Sequence, residues 1–207
     1  MKSKKNHSSR LIFLAACLAF LPSVSLSAAQ QDPALPPPGT PNAALILPPR
    51  NFYDPEFFAV RDALSAAGVR VRIFCNAEGD AVGSQGGKVR PDAPLAELRP
   101  AEFDLVCVIG GTGTLNYLYH DEALGEKLRE ARDQGKRVAG ICAGATTLAK
   151  FGVLSGRTAT GANRGVFVRA GVAYSFEKVV VDGPFITAQG DYHDLFAAAL
   201  VRELTGG

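Results

Sequence analysis

Histidine is scarce in this 207-residue chain, which has only His7, His120 and His193. With so few imidazoles, no H-E-x-x-H and no C-x-x-C, the sequence offers no metal-binding motif, and neither a metal nor another cofactor is expected. A basic surface pattern is missing as well. The formal net charge is +2, yet Lys2, Lys4, Lys5 and Arg10 all fall within the first 29 residues, which hold no Asp or Glu. The rest of the chain carries 18 basic against 20 acidic residues. A mildly acidic body without a basic stripe excludes an electrostatic footprint for nucleic acid or for an anionic membrane surface. The apolar run from Leu11 to Leu21 is about half the ~20 residues that span a bilayer, so no integral membrane segment is expected after processing. There is no internal repeat, and 47% hydrophobic with 20% charged residues describes a globular chain rather than a disordered, collagenous or coiled-coil one. This length allows one sizeable core.

The first 29 residues read as a secretory signal peptide: a basic stretch, the apolar run, then Pro22 and a Ser/Ala-rich segment ending Ser27-Ala28-Ala29. Leu14-Ala15-Ala16-Cys17 resembles a lipoprotein box, but the apolar run continues through Cys17, which favours a cleaved leader and an exported, periplasmic protein. Residues 30–41 carry Pro33, Pro36, Pro37, Pro38 and Pro41 and form an extended proline-rich linker, because proline lacks an amide donor and fits neither helix nor sheet interior. The folded domain is then residues 42–207. Export leaves Cys75, Cys107 and Cys142, an odd number that keeps at least one thiol unpaired. Cys75 and Cys107 end or interrupt β-like runs and read as small buried apolar residues.

Ala43 to Leu47 and Val69 to Phe74 suit strands, and between them Glu56 to Ala67 sets Phe57, Val60, Leu64 and Ala67 at helical spacing before Gly68. Asp54-Pro55-Glu56 offers that helix a start, with an acceptor at the N-cap, a proline at the first position and an acid in the positive first turn. The polar, glycine-rich residues 79–92 predict a hairpin excursion. The alternation then resumes with a strand at Leu105 to Ile109, a helix at Glu122 to Gln134 using Leu124, Leu128 and Ala131, a strand at Val138 to Ile141 and a short helix from Cys142 to about Phe151. Val179 to Asp182 and Phe185 to Ala188 flank Gly183-Pro184 as a hairpin, and a last helix from Tyr192 to Leu204 is expected to pack through Leu195, Phe196, Ala199 and Leu200. Strands apolar on both faces and separated by helices predict an α/β chain with a mostly parallel central sheet.

Gly140-Ile141-Cys142-Ala143-Gly144 joins a predicted strand to a predicted helix, the setting of a G-x-S-x-G nucleophile elbow with Cys in place of Ser. Small flanking residues let the chain turn sharply and project the sulfur, and the helix N-terminus is expected to lower the thiol pKa. A lone Cys in such a turn is more often merely buried; the strand, glycines and helix together favour a functional thiolate. Gly110-Gly111-Thr112-Gly113-Thr114 sits at another strand end, but Asn116 stands where a dinucleotide fingerprint needs Gly. The better reading gives the N–H groups of Gly111 and Ala143 to an oxyanion formed when the thiolate attacks a carbonyl.

These motifs, with Asp54-Pro-Glu56, Val180-Val-Asp-Gly183 and Ile186-Thr-Ala-Gln-Gly190, resemble the ThiJ/PfpI family over nearly all of Ala43 to Leu204. The resemblance implies a flavodoxin-like three-layer sandwich within the class I glutamine amidotransferase-like superfamily, with strand order 2-1-3-4-5 and frequent homodimers whose partner residues approach the active-site mouth. The family includes glyoxalases without a metal, the parkinsonism-associated protein deglycase, stress chaperones and proteins described as proteases. Carried over by position, Cys142 matches the nucleophilic, oxidisable cysteine and Glu56 the active-site glutamate. Beside a thiol, Glu56 either stays protonated and donates to sulfur, or serves as a base for a substrate proton. On its own, the spacing makes Glu56 equally a first-turn acid stabilised by the helix dipole.

Two departures narrow the activity. The histidine that follows the nucleophile in the family's proteases is Ala143 here, and the second common histidine position is Ala162, so Cys-His proteolysis is not expected. A late His-x-Glu pair for glutamine hydrolysis is also missing. His120 reads as a surface residue. His193, just after Gly190-Asp191 where the family usually has Gly-Pro, is a possible accessory imidazole, and Asp54 a possible accessory acid. The expected partner is a small-molecule electrophile: a reactive carbonyl in a glyoxalase- or deglycase-type reaction, or alternatively an isonitrile. The non-enzymatic alternative is a redox-responsive or chaperone-like protein whose Cys142 oxidises without turnover.

Overall fold

The protein's computed structural model describes residues 39–206, so the expected leader, Cys17 and the linker up to residue 38 lie outside the described residues. The domain opens with β1 (Asn42–Leu47) and β2 (Arg50–Phe52), which lead into α1 (Asp54–Ala66) and β3 (Arg70–Cys75). An excursion follows through β4 (Ala81–Gly83) and β5 (Lys88–Val89) to β6 (Ala93–Pro94). Next come β7 (Leu105–Val108), α2 (Glu122–Asp133), β8 (Arg137–Ile141) and α3 (Ala143–Lys150), then a small annex of β9 (Thr158–Ala159), α4 (Arg164–Arg169) and β10 (Ala173–Tyr174). The hairpin of β11 (Val179–Asp182) and β12 (Phe185–Ala188) precedes the closing helix α5 (His193–Thr205).

Seven strands build the main sheet in the order β11-β12-β8-β7-β1-β3-β6, parallel except for the β11–β12 pair. Without its two edge strands this is the flavodoxin-like order 2-1-3-4-5, which reverses direction between β1 and β7. The strands are apolar at consecutive positions because each face meets a different helical layer. Ala43, Leu45 and Leu47 of β1 pack with Phe57, Val60 and Leu64 of α1 and with Phe196 and Leu200 of α5. Ala44 and Ile46 point the other way, into a core shared with Leu124 and Leu128 of α2 and Leu148 of α3. Each such fully buried Leu, Val or Phe contributes roughly 1.5–3 kcal/mol relative to an exposed side chain. Among the described residues no helix is long and apolar enough to cross a membrane.

Several local expectations need correction. Helix α1 starts at Asp54, and its N-cap is Tyr53, which makes no side-chain cap. The carboxylate of Asp54 instead reaches out to the excursion, where it accepts from Gln85 N at 2.8 Å and Gly87 N at 2.7 Å. Leu195 is 51% exposed rather than packed, because α5 turns Phe196, Ala199 and Leu200 to the sheet. Strands β2 and β6 and the annex were not legible as elements; two- and three-residue strands are too short to show a period. The 79–92 excursion does form a hairpin, and β2 extends it into a three-stranded side sheet. Cys75 and Cys107 lie on either side of β1, opposite Leu47 and Leu45, both buried and free.

Candidate active site

The carboxyl end of β8 delivers Cys142 directly to the first turn of α3. Its backbone sits at φ 55° and ψ −117°, a region that costs a non-glycine residue on the order of 1–3 kcal/mol. The surroundings over-determine it. Cys142 N donates to Ala188 O at 2.9 Å, and Cys142 O accepts from Thr146 N, Ala162 N and Thr146 Oγ1. The flanking glycines are needed for close approach: a Cβ on Gly140 would lie 2.7 Å from Ala145 N, and one on Gly144 would collide with Val108 O. The sulfur is thereby held out from the sheet edge, half-buried, where the N–H groups of Ala143 and Gly111 both donate to it. Gly111 can turn its amide this way because its φ is +106°, with the backbone of Asn51 and Tyr53 packed where a side chain would be.

Glu56 reaches the same point from the first turn of α1. It is fully buried, and burial is the main force pushing its pKa from 4.5 up to about 8; the N–H of Gly110 and the contact with Cys142 oppose this, and the charge of Asp191 adds to it. At neutral pH the side chain is therefore a carboxylic acid. Its Oε2 accepts from Gly110 N at 2.9 Å, while Oε1 is buried with no nitrogen or oxygen partner. The acid proton thus belongs on Oε1, which is buried beside Cys142. Both atoms face Gly190: a Cβ there would lie 3.1 Å from Cys142 Sγ and 3.1 Å from Glu56 Oε1. The expected lowering of the thiol pKa by the helix N-terminus is not what results. Burial, then the charge of an ionised Glu56, push Cys142 up to about 11, against the opposing pull of the Ala143 and Gly111 amides. While Glu56 holds its proton the like-charge part of that push is absent, so a thiolate is compatible with the site only beside a neutral Glu56.

A cavity of about 320 Å³ opens over the sulfur. Cys142, Glu56, Gly111 and Ala143 all line it, so the structure brings the four principal predicted residues together. Ala143 and Ala162 line it too, which puts two methyl groups where the family resemblance would place imidazoles. Asp54 and His193 are not on the wall. Asp54 acts from behind, its Oδ2 also 3.4 Å from Oγ of Ser84, a wall residue. His193 starts α5 with its side chain 26% exposed and Nε2 3.9 Å from Asp194 Oδ1. Tyr53, Thr112, Leu115, Gly190 and Asp191 complete the wall, and of the lining Tyr53, Ser84, Thr112, Leu115 and Asp191 were missed. Only for Asp191 did the sequence hold a signal, its place beside Gly190 at the start of the last helix.

The chain matches the DJ-1/PfpI family over residues 42–203. It is 32% identical over 147 residues to the deglycase PfpI of Pyrococcus furiosus, covering 70% of this chain and 88% of that protein. It is 26% identical over 167 residues to the glutathione-independent glyoxalase DJR-1.2 of Caenorhabditis elegans, covering 80% and 89%. The crystal structure of a ThiJ/PfpI domain protein from Brachyspira murdochii superposes with a TM-score of 0.78 at 29% identity, covering 81% of this chain and 98% of that one. With the family match spanning nearly the whole folded domain, the chain belongs to the DJ-1/PfpI family.

Proposed function

We propose that the protein is a cysteine-dependent enzyme acting on small reactive carbonyl compounds, of glyoxalase or deglycase type. The observation that carries this reading is the convergence of Cys142, a buried protonated Glu56 and two backbone donors at the sulfur on one small cavity. With methylglyoxal as the worked case, the Cys142 thiol loses its proton to solvent, the thiolate Sγ adds to the aldehyde carbon, and the carbonyl oxygen takes up negative charge between the Gly111 and Ala143 amides. Glu56 gives a proton to one oxygen of the adduct and, as carboxylate, removes the hydrogen from the former aldehyde carbon. Returning that proton to the neighbouring carbon leaves a lactoyl thioester on Cys142. Water cleaves the thioester to lactate and the free thiol, so that one aldehyde and one water become one hydroxy acid. The names of the deglycase and glyoxalase relatives support the same class of chemistry. Alanine at positions 143 and 162 argues against a Cys-His protease.

The test is direct. Purified protein incubated with methylglyoxal yields lactate, and Cys142→Ala abolishes it; lactate no faster than in that variant overturns the reading. The competing redox reading predicts sulfinic acid on Cys142 in intact-mass spectra after mild peroxide, without lactate formation.

A further inference from the structure

We infer that the cavity selects uncharged or positively charged electrophiles and rejects anionic ones such as 2-oxo acids, and that Asp191 is the residue that makes this choice. The inference rests on Cys142 being the reacting nucleophile and adds the substrate class of that same site. Three observations carry it. First, the ionisable side chains on the wall, besides the nucleophile and Tyr53, are both acids: Glu56 at the bottom and exposed Asp191 at the mouth. No Lys, Arg or His lines the cavity to receive a carboxylate. Second, the charge of Asp191 is not neutralised: among the described residues it forms no ion pair. Lys178, which the fold brings close, holds its ammonium over the ring of the adjoining Tyr192 at 4.9 Å and forms no ion pair with the Asp191 carboxylate. Third, the field of Asp191 reaches the reacting groups, since it adds to the resistance of Glu56 to ionisation.

An anionic substrate must carry its second charge past Asp191 into a cavity of about 320 Å³ that offers it backbone amides only at the sulfur. Those two amides are already committed to the developing oxyanion, so a carboxylate elsewhere on the molecule stays unpaired in a partly desolvated space. A neutral aldehyde meets neither penalty. An amine-bearing carbonyl compound gains attraction from Asp191.

Alkylation of Cys142 by two reagents of equal size and opposite character tests this without requiring turnover. Iodoacetamide is neutral and iodoacetate is anionic, and peptide mass mapping reads each rate at Cys142. At low salt the preference for iodoacetamide over iodoacetate is expected to exceed that of N-acetylcysteine by about five- to tenfold, the scale of a like charge acting across a partly wet site. Asp191→Asn should bring the preference to within about twofold of the free thiol, Asp191→Glu should keep it, and about 0.5 M salt should weaken it in the parent protein. Because Asp191 is exposed, the Asn variant has no core contact to lose. In turnover, the same variant narrows the gap in kcat/KM between methylglyoxal and a 2-oxoaldehyde that carries a carboxylate. A parent preference equal to that of the free thiol, or one that Asp191→Asn leaves unchanged, overturns the selector. A Cys142 that takes neither reagent defeats the nucleophile reading and this one with it, whereas selective alkylation without lactate defeats only the glyoxalase reading.

Discussion

Glu56 illustrates how one residue couples function to stability. In the unfolded chain its carboxyl ionises around 4.5, but in the fold it holds its proton up to about 8, first because it is buried. Folding therefore takes up a proton between those values. The stability is undiminished below pH 4.5 and falls as pH rises toward 8, by about 1.4 kcal/mol for each unit in that window. Glu56→Gln stays neutral and can still accept from Gly110 N, so it should melt above the parent protein at pH 8, with the gap closing near pH 4.5. Thermal denaturation at the two values checks this; a gap independent of pH would contradict the buried acid. A second residue-scale expectation concerns the thiols. Cys75 and Cys107 are buried and their pKa values are raised by burial, whereas Cys142 faces a cavity and receives two amides. Iodoacetamide at pH 8 should modify Cys142 at least about tenfold faster than the other two, as read from peptide masses.

Elements place these residues, and one contact shows how. The carboxylate of Asp54, 5% exposed at the start of α1, ties down the β4–β5 excursion through the amides of Gln85 and Gly87. The excursion in turn supplies Ser84 to the cavity wall. Removing that acceptor leaves two amides without their charged partner, so Asp54→Ala should destabilise the protein by roughly 2–4 kcal/mol and raise KM more than it lowers kcat, since it loosens a wall rather than the nucleophile. Denaturant unfolding and steady-state kinetics check the two halves; an unchanged midpoint would show that the excursion does not need the tie. The Asp54-Pro55-Glu56 triplet was readable in sequence as a helix start. That Asp54 bonds across to residues of another element was not, because the sequence pattern of a cap and that of a long-range anchor are the same.

For the whole molecule, the sheet belongs to two cores at once. Leu64 on α1 packs against one face and Leu128 on α2 against the other, and β1, β7 and β8 contribute side chains to both. Leu64→Ala and Leu128→Ala should each cost about 2–5 kcal/mol, and each should lower a single calorimetric transition rather than split it, because neither layer keeps its sheet when the other is lost. Two resolved transitions in either variant would mean that the layers unfold independently.

The elbow, the apolar strands and the helix stripes could be read along the chain because each is set by neighbours within one or two turns: Gly140 to Gly144, the run at Leu105 to Ile109, the spacing of Leu124, Leu128 and Ala131. The pairing of Cys142 with Glu56 came from a family resemblance, as did the place of Ala162, and the rest of the wall beyond Gly111 and Ala143 from neither source. Glu56 meets Gly110 across 54 residues of sequence, and Tyr53, Ser84, Leu115, Ala162 and Asp191 reach one cavity from five separate segments. By itself, then, the sequence determined an alternating α/β chain with a cysteine poised at a strand end, since local sterics and hydrophobic period suffice for both. Only the tertiary structure decided that this cysteine faces a neutral acid in a cavity free of basic side chains, because burial and charge at a site are sums over residues that the chain brings together only when the sheet closes.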